Sequence, residues 1–210
     1  MGTSMVGVSS VDAGAGGGLR EHKKQQTREA LHRAAVRLYV KRGPDSVTVN
    51  DICNATGVSR RTFFNYFESK DEAVLDWDED LPGASLADRI AARPGEEAPL
   101  RAVHQTLRAG IQRLLGHDTW RERQLLVRQH PRLLPRITAR NRRTKASVTE
   151  GIARRTGLDA DSLYVQTLAG TALAVMQAAL EEWNPEDSAS DPLAILDTAF
   201  DMAVSGFVAT

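Results

Sequence analysis

Apolar residues recur at helical spacing along most of the chain. Between residues 21 and 42 they fall three and four positions apart, which is the period of a helix with one buried face. Gly43 and Pro44 follow at once and are residues that end a helix. Because no segment shows the alternation typical of a β-strand and no internal repeat occurs, the pattern predicts an all-α protein.

Capping residues mark the start of three further helices. Thr48, Ser59 and Ser69 each precede an apolar run, and their hydroxyl groups can accept hydrogen bonds from the free amides of a first turn. Asp51 and Glu72 stand three positions after a cap, as in a capping box. We predict helices over residues 49–57 and 60–66, and a longer one from residue 69 to about residue 92.

The second half of the chain predicts five more helices, separated by Gly, Pro and Asn. They cover residues 100–116, 119–129, 133–156, 160–183 and 192–208. With about nine helices in total, we expect a disordered tail over residues 1–19, a three-helix domain over residues 20–70 and a larger helical domain over residues 71–210.

The N-terminal residues show neither a signal peptide nor a membrane segment. They are Gly, Ser, Ala and Val without a period, and the most apolar internal stretch, residues 168–180, is shorter than the roughly 18 residues of a membrane span. The single cysteine, Cys53, excludes an internal disulfide. The sequence therefore favours a cytoplasmic protein without membrane contact.

The formal net charge is zero, but the charges are segregated along the chain. Residues 20–70 carry 11 Lys and Arg against 5 Asp and Glu, and residues 101–145 carry 12 against 2. Residues 71–100 and 146–210 are acidic. The first basic block is compatible with a nucleic-acid partner, whereas the second is equally well explained as a solvated helix face.

Residues 48–67 have the pattern of a helix-turn-helix. Gly57 stands between two short helices, where it can adopt the positive φ of the turn. The apolar residues that can form a small shared core are Ile52, Cys53, Val58, Phe63 and Phe67. The polar residues left to point outward are Arg60, Arg61, Thr62, Asn65 and Tyr66. A recognition helix needs this division, because one side holds it to its domain while the other enters the major groove.

This stretch resembles the DNA-binding signature of the TetR family of transcriptional regulators. The matching residues are Asp51, Ile52, Ala55, Gly57, Val58, Ser59, Thr62, Phe63, Tyr66, Phe67, Ser69 and Lys70. The resemblance covers about residues 24–75. It differs at Phe64, where the family often has Tyr, and at Cys53, where it usually has Ala and where we expect a small buried side chain.

The resemblance implies a role for each polar residue of the motif. Arg60, Arg61 and Asn65 would contact bases, since Arg matches guanine and Asn matches adenine. Phosphate contacts would come from Thr48, Thr62, Tyr66 and Lys70, from the helix start at Ser59, and from Arg28 of the first helix. At Phe64 the missing hydroxyl removes one phosphate bond expected of the family.

The family also implies a helical regulatory domain that forms a homodimer through its last two helices. The candidate interface residues are Leu163, Thr167, Gly170, Ala174, Ala178, Leu196, Phe200, Val204 and Phe207. The candidate residues of both helices could instead belong to the core of a single chain. Two-fold symmetry would place two recognition helices in major grooves and would call for an inverted-repeat operator.

The segment from Arg121 to Leu158 is similar to regulators grouped with the mycofactocin-system regulator, which implies an acyl-coenzyme A-like effector. The Arg-rich stretch 132–145 could hold its phosphates, or could be a solvated face, a second DNA contact or a partner of the acidic block. Candidate pocket walls, each of which could also be plain core, are Trp120, Leu125, Leu126, Ile137, Leu168, Leu173, Met176 and Trp183.

The sequence contains no motif to which we can assign an enzymatic reaction. The five histidines lack partners at metal-binding spacing, and there is neither a phosphate-binding Gly loop nor a nucleophile elbow. We expect no metal and no cofactor. The sequence predicts a ligand-responsive repressor that binds double-stranded DNA. It leaves open an activator, a ligand-independent regulator, or a helical interaction protein with a degenerate helix-turn-helix.

Overall fold

The computed structural model describes residues 15–76, 84–116 and 119–206, and it contains ten α-helices and no strand within those ranges. Two 3-10 turns, Pro44–Ser46 and Pro131–Leu133, complete the regular structure of the described part. The helices are α1 Ala15–Arg42, α2 Val49–Thr56, α3 Arg60–Phe64, α4 Lys70–Leu75, α5 Leu86–Ala91, α6 Pro99–Leu115, α7 Trp120–Gln129, α8 Leu134–Thr156, α9 Leu163–Glu182 and α10 Pro192–Ser205. The all-α prediction is confirmed.

The helices α1 to α4 form a small domain around one apolar cluster. Its buried members include Leu31 and Tyr39 of α1, Ile52 of α2 and Phe63 of α3. Leu126 belongs to the same cluster although it comes from α7. The small domain is therefore packed directly against the rest of the chain.

A second and larger cluster holds α5 to α10 together. It is built from apolar side chains such as Ile90, Ile111, Ile152 and Leu196, none of which is exposed to solvent. Helix α8 packs closely on α5 at Gly151, where an added Cβ would lie 2.8 Å from Cβ of Ile90. The absence of a side chain at this position lets the two backbones approach.

A buried histidine joins α6 to α10 within the larger domain. His104 donates from Nε2 to the carboxylate of Asp197 at 2.8 Å, and its ring stacks on Phe200 at 4.4 Å between centroids. Arg108 donates to the same carboxylate at 3.0 Å. Burial lowers the pKa of His104, and this effect outweighs the opposing effect of Asp197.

The predicted long helix after Ser69 is wrong, because α4 ends at Leu75. Asp76 leaves the helical region, with φ −53° and ψ 127°, and its carboxylate binds Arg28 of α1. Residues 77–83 lie outside the described residues. The next helix begins at a capping box between Ser85 and Asp88 that the sequence interpretation overlooked.

Helix boundaries at two other places also differ from prediction. α1 starts at Ala15, so residues 15–19 belong to a helix rather than to the predicted tail, and residues 1–14 lie outside the described residues. α3 ends at Phe64 with a turn over residues 65–66. The difference at α3 is within the one or two residues over which helix ends vary, whereas α1 starts six residues before the predicted position at residue 21.

Helix α9 is long and apolar. Its most apolar 18-residue window reaches a mean hydropathy of 1.4, which by length and composition alone would suffice to cross a membrane. In the structure α9 packs against α8, α10 and α6 and supplies Val165, Ala169 and Ala172 to the core. The helix is a bundle element whose opposite face is exposed.

Candidate DNA-binding surface

Helix α2 starts at a complete capping box. Thr48 Oγ1 accepts a hydrogen bond from the amide of Asp51 at 3.2 Å, and the Asp51 carboxylate accepts one from the amide of Thr48 at 2.8 Å. These bonds from Thr48, together with one from Arg42, lower the pKa of Asp51 to about 2. The cap that the sequence predicted is therefore formed, and the Thr48 side chain is committed to it.

The turn between α2 and α3 depends on Gly57. Its φ of 72° lies in the left-handed region, and its amide donates to the carbonyl oxygen of Cys53. Two residues later Ser59 caps α3, where Oγ accepts from the amide of Thr62 at 3.0 Å. The turn and the cap together set the direction of α3 relative to α2.

Helix α3 divides into a buried and an exposed side. Phe63 and Phe67 are at most 1% exposed, with ring centroids 5.8 Å apart. Arg60, Arg61 and Asn65 lie on the solvent side. This is the arrangement that a recognition helix requires, since the buried rings fix the helix while its polar side stays free for a groove.

Phe64, where the family often has Tyr, is 48% exposed on the same surface. Its ring meets Phe63 edge to face at 5.4 Å, and the guanidinium of Arg60 lies 5.8 Å from its centroid. The ring therefore restricts the position of Arg60. Cys53 is buried, as expected from the sequence.

The two basic residues predicted to bind phosphate, Lys70 and Arg28, are also engaged within the chain. Lys70 donates from Nζ to the carbonyl oxygens of Pro44 at 2.8 Å and Val47 at 2.6 Å. Arg28 donates to both carboxylate oxygens of Asp76, from Nε at 2.8 Å and from a terminal nitrogen at 2.5 Å. In this arrangement both groups hold the domain together, so a phosphate contact by either would need rearrangement of these bonds.

Polar contacts join the two domains, and one of them brings Arg132 of the Arg-rich stretch to Asp71 of the acidic block, an alternative that the sequence left open. Arg132, just before α8, pairs with Asp45 and lies 3.5 Å from Asp71. Asp71 also accepts a hydrogen bond from the hydroxyl of Tyr39 at 2.6 Å, and burial with this bond raises the pKa of Tyr39. These residues tie the turn before α2 to the start of α8.

His32 makes a further connection between the domains. Its Nδ1 donates to the carbonyl oxygen of Ala73 at 2.8 Å, so Nε2 is left to accept from the hydroxyl of Thr119 at 3.2 Å. One ring thus bridges α1, the end of α4 and the start of α7. Partners separated by 41 and 87 positions leave no local signal in the sequence.

The candidate ligand residues lie in different parts of the described structure. Trp120 and Trp183 are buried and stack at 6.2 Å between ring centroids. Leu168, Leu173 and Met176 pack partly buried against the core of the larger domain. Leu126 is buried in the apolar cluster of α1 to α4, and its assignment to a ligand pocket stays a prediction.

The remaining candidates are half-buried. Ile137 lies on α8, and Leu125 lines a cleft between α1 and α7. Within the described residues no group of His, Cys, Asp and Glu could hold a metal ion.

The candidate dimer residues fall into two groups. Leu163, Thr167, Ala174 and Ala178 are exposed on one side of α9 and Gly170 is half-buried, while Val204 of α10 is 60% exposed.

Leu196 and Phe200 are at most 1% exposed within their own chain, so they support α10 from inside and cannot touch a partner. Phe207 lies outside the described residues. Sequence reasoning missed Tyr164 and Met202, which are 50% and 51% exposed on the same helices. Helical periodicity counted from the buried residues of α9 and α10 would have placed both side chains on the exposed side.

Comparison with known families identifies two matching regions. The profile described as bacterial regulatory proteins of the tetR family matches residues 31–75, and the MftR C-terminal domain profile matches residues 97–208.

Known proteins resemble most of the chain. The HTH-type transcriptional regulator TcmR of Streptomyces glaucescens is 32% identical over 197 residues, which cover 90% of this chain and 86% of that protein. The putative mycofactocin biosynthesis transcriptional regulator MftR of Mycobacterium tuberculosis is 28% identical over 198 residues, which cover 88% and 92%. The structure of SmeT in complex with triclosan shares the fold, with a TM-score of 0.53, 19% identity and coverage of 88% and 92%.

Proposed function

The chain belongs to the TetR family of bacterial transcriptional regulators, and we propose that it is a homodimeric, ligand-responsive repressor of an inverted-repeat operator. Its membership makes it a DNA-binding regulator and not an enzyme. The proposal rests on the solvent side of α3. There Arg60, Arg61 and Asn65 are exposed, while the phenylalanine rings on the opposite side are buried.

Recognition of the DNA sequence would depend on these three side chains. Arg can donate two parallel bonds to guanine and Asn can pair with adenine in the major groove. Thr62, Ser59 and the exposed start of α2 at Thr48 would hold phosphates and set the register, with Tyr66 beside them. Arg28 and Lys70 would act first by fixing the domain, because both are bonded inside it.

Dimerisation would use the exposed side of α9 together with α10. Only 28% of the most apolar window of α9 is buried in the single chain, and Leu163 is 84% exposed. An apolar face of this length beside small residues such as Ala174 and Ala178 is suited to close packing against a second copy. Two-fold symmetry would then present two α3 helices to two half-sites.

Effector response would pass from the larger domain to α1–α4. The match to the MftR C-terminal domain covers the larger domain, and an acyl-coenzyme A-like molecule is the first class to test. The exposed Arg142 and Arg143 of α8 would suit its phosphates. A differential affinity of about 1–3 kcal/mol between DNA-bound and free states would suffice for release. Such a regulator would work in the cytoplasm.

A reporter fused to the operator region tests the sign of regulation. Expression should rise when the gene for this chain is deleted and fall when it is restored. Light scattering on the purified complex should give two chains per duplex. If deletion lowered expression, the chain would be an activator. If no duplex bound above background, a helical interaction protein with a degenerate motif would replace the proposal.

A further inference from the structure

A cleft separates the C-terminal half of α1 from α7, on the boundary between the DNA-binding and regulatory domains. Its cavity volume is about 210 Å³, which suits a ligand smaller than the drug-sized molecules that occupy sites of about 300–1,000 Å³. Its lining residues are Tyr39, Val40, Gly43, Glu122, Leu125, Leu126, Gln129 and His130. The cleft lies outside the core of the larger domain.

The walls of the cleft are mainly apolar. Val40, in the last turn of α1, is 52% exposed there. Leu125 adds to the same surface, and Tyr39 lies beneath it with 1% exposure. Burial of a ligand's apolar part against these side chains would be favourable by the area removed from water.

The charge in the cleft is negative. Glu122 contributes a carboxylate to the lining of the cleft. Within the described residues, this carboxylate forms no ion pair. The neighbouring arginines of α7 point elsewhere, since Arg121 donates to the carbonyl oxygen of Pro185 and Arg128 to that of Glu181. An organic cation placed here would meet a carboxylate that has no competing partner in the described structure.

The helix ends strengthen this preference. α1 ends at Arg42 and α7 at Gln129, so two C-terminal ends, each carrying partial negative charge, meet at one cleft. Of the basic residues in the last turn of α1, Arg42 is bonded to Asp51 at 3.0 Å and Lys41 does not line the cleft. The helix ends therefore add partial negative charge to that of the Glu122 carboxylate, while Lys41 in the last turn of α1 adds an exposed positive charge outside the lining.

We propose that this interdomain cleft is a binding site for an organic monocation, with the positive group at Glu122 and the apolar body against Val40 and Leu125. A ligand there would touch both domains. It would also lie next to the turn Pro131–Leu133, from which Arg132 pairs with Asp45 and Asp71. This provides a route by which occupancy of the cleft would change the position of the turn before α2.

Calorimetric titration of the full chain with benzyltrimethylammonium, in the absence of DNA, tests the proposal. Benzyl alcohol and benzoate serve as neutral and anionic comparators. We expect saturable binding of the cation and weaker binding of both comparators. Binding of benzyl alcohol as tight as that of the cation, or no saturable binding of the cation, would overturn the proposal.

Two variants locate the site. Glu122→Gln keeps the size of the side chain and should weaken cation binding by about tenfold, or about 1.4 kcal/mol. The matched change Glu96→Gln, at an exposed glutamate outside the cleft, should leave binding unchanged. An unchanged affinity in Glu122→Gln would refute the assignment.

Val40→Lys places an ammonium group in the cleft and should abolish binding while the circular dichroism spectrum stays helical, because the position is exposed and lysine favours helices. Retained binding in this variant would also count against the site. Since no operator is present, these results do not depend on how the chain regulates transcription.

Discussion

At the scale of single residues, similar basic side chains have different tasks in this domain. Arg60 and Arg61 are exposed on α3, whereas Arg28 and Lys70 are bonded to groups of their own chain. The sequence predicted the exposure of the first pair, because the helical period of Phe63 and its neighbours determines which side is buried. It could not reveal the acceptors of Lys70, which lie 23 and 26 positions away.

Replacement of Lys70 tests this distinction. Lys70→Met keeps the aliphatic stem but removes two hydrogen bonds to carbonyl oxygens, and a bond of a charged group is worth about 1.5–3 kcal/mol. The free energy of unfolding in urea should fall by about that amount. Lys41→Met, at an exposed lysine of α1, should change it by less than about 0.5 kcal/mol. Equal stability with weaker DNA binding would instead make Lys70 a phosphate contact.

At the scale of helices, the sequence predicted the N-terminal caps but not the positions at which the helices end. Thr48, Ser59 and Ser69 cap α2, α3 and α4 as predicted, since each cap acts within three residues. The end of α4 was missed because Asp76 is held by Arg28, a residue 48 positions away. Local patterns determine where helices can begin, whereas tertiary contacts decide how far they continue.

The close contact of α5 and α8 gives a prediction at this scale. In Gly151→Ala the new Cβ would lie 3.0 Å from the carbonyl oxygen of Ala87, so α5 would have to shift. We expect a loss of about 1–3 kcal/mol in the free energy of unfolding.

Gly110→Ala is the control for this change. Its Cβ meets nothing nearer than 3.9 Å, and it should stabilise α6 by about 0.5–1 kcal/mol. Similar effects of both changes on thermal or urea unfolding would mean that the helices are not in close contact at Gly151.

The α6–α10 contact predicts a pH dependence of stability. The pKa of folded His104 lies below its ordinary value of 6.5, so the unfolded chain binds its proton first as the pH falls. The contribution of His104 to stability is therefore present above about pH 6.5 and is lost as the pH decreases below it.

Urea unfolding between about pH 7.5 and about pH 5.5 measures this effect. His104→Gln should show a smaller decrease than the wild type, and the exposed His22→Gln should behave like the wild type. A wild-type profile no steeper than that of His104→Gln would contradict the assignment.

At the scale of the whole molecule, the sequence pattern does not determine which helix faces remain exposed. Small residues along α9 indicated a packing surface, and Leu163 and Ala174 are exposed. Leu196 and Phe200 share an apolar stripe with Val204, yet only Val204 is exposed. Which side of α10 is covered depends on α6 and α9, and the sequence of α10 alone does not contain that information.

Dimerisation through α9 can be disrupted by one charge. Ala174→Glu places a carboxylate on the proposed interface and should yield a monomer, because burial of an unpaired charge is costly. Ala146→Glu, at an exposed alanine of α8, should remain dimeric. Light scattering at equal protein concentration measures the masses. A dimer in both variants would place the interface elsewhere.

We propose that this regulator reads an operator through the exposed side of α3. The most direct test is anisotropy titration of the full chain with a duplex selected from random sequences, beside a scrambled duplex and across a salt series. Wild type should prefer the selected duplex, and Arg60→Ala/Arg61→Ala should remove the preference. The matched pair Arg142→Ala/Arg143→Ala, on the exposed side of α8, should keep it. Equal binding of wild type to selected and scrambled duplexes, or equal loss in both double variants, would contradict the claim.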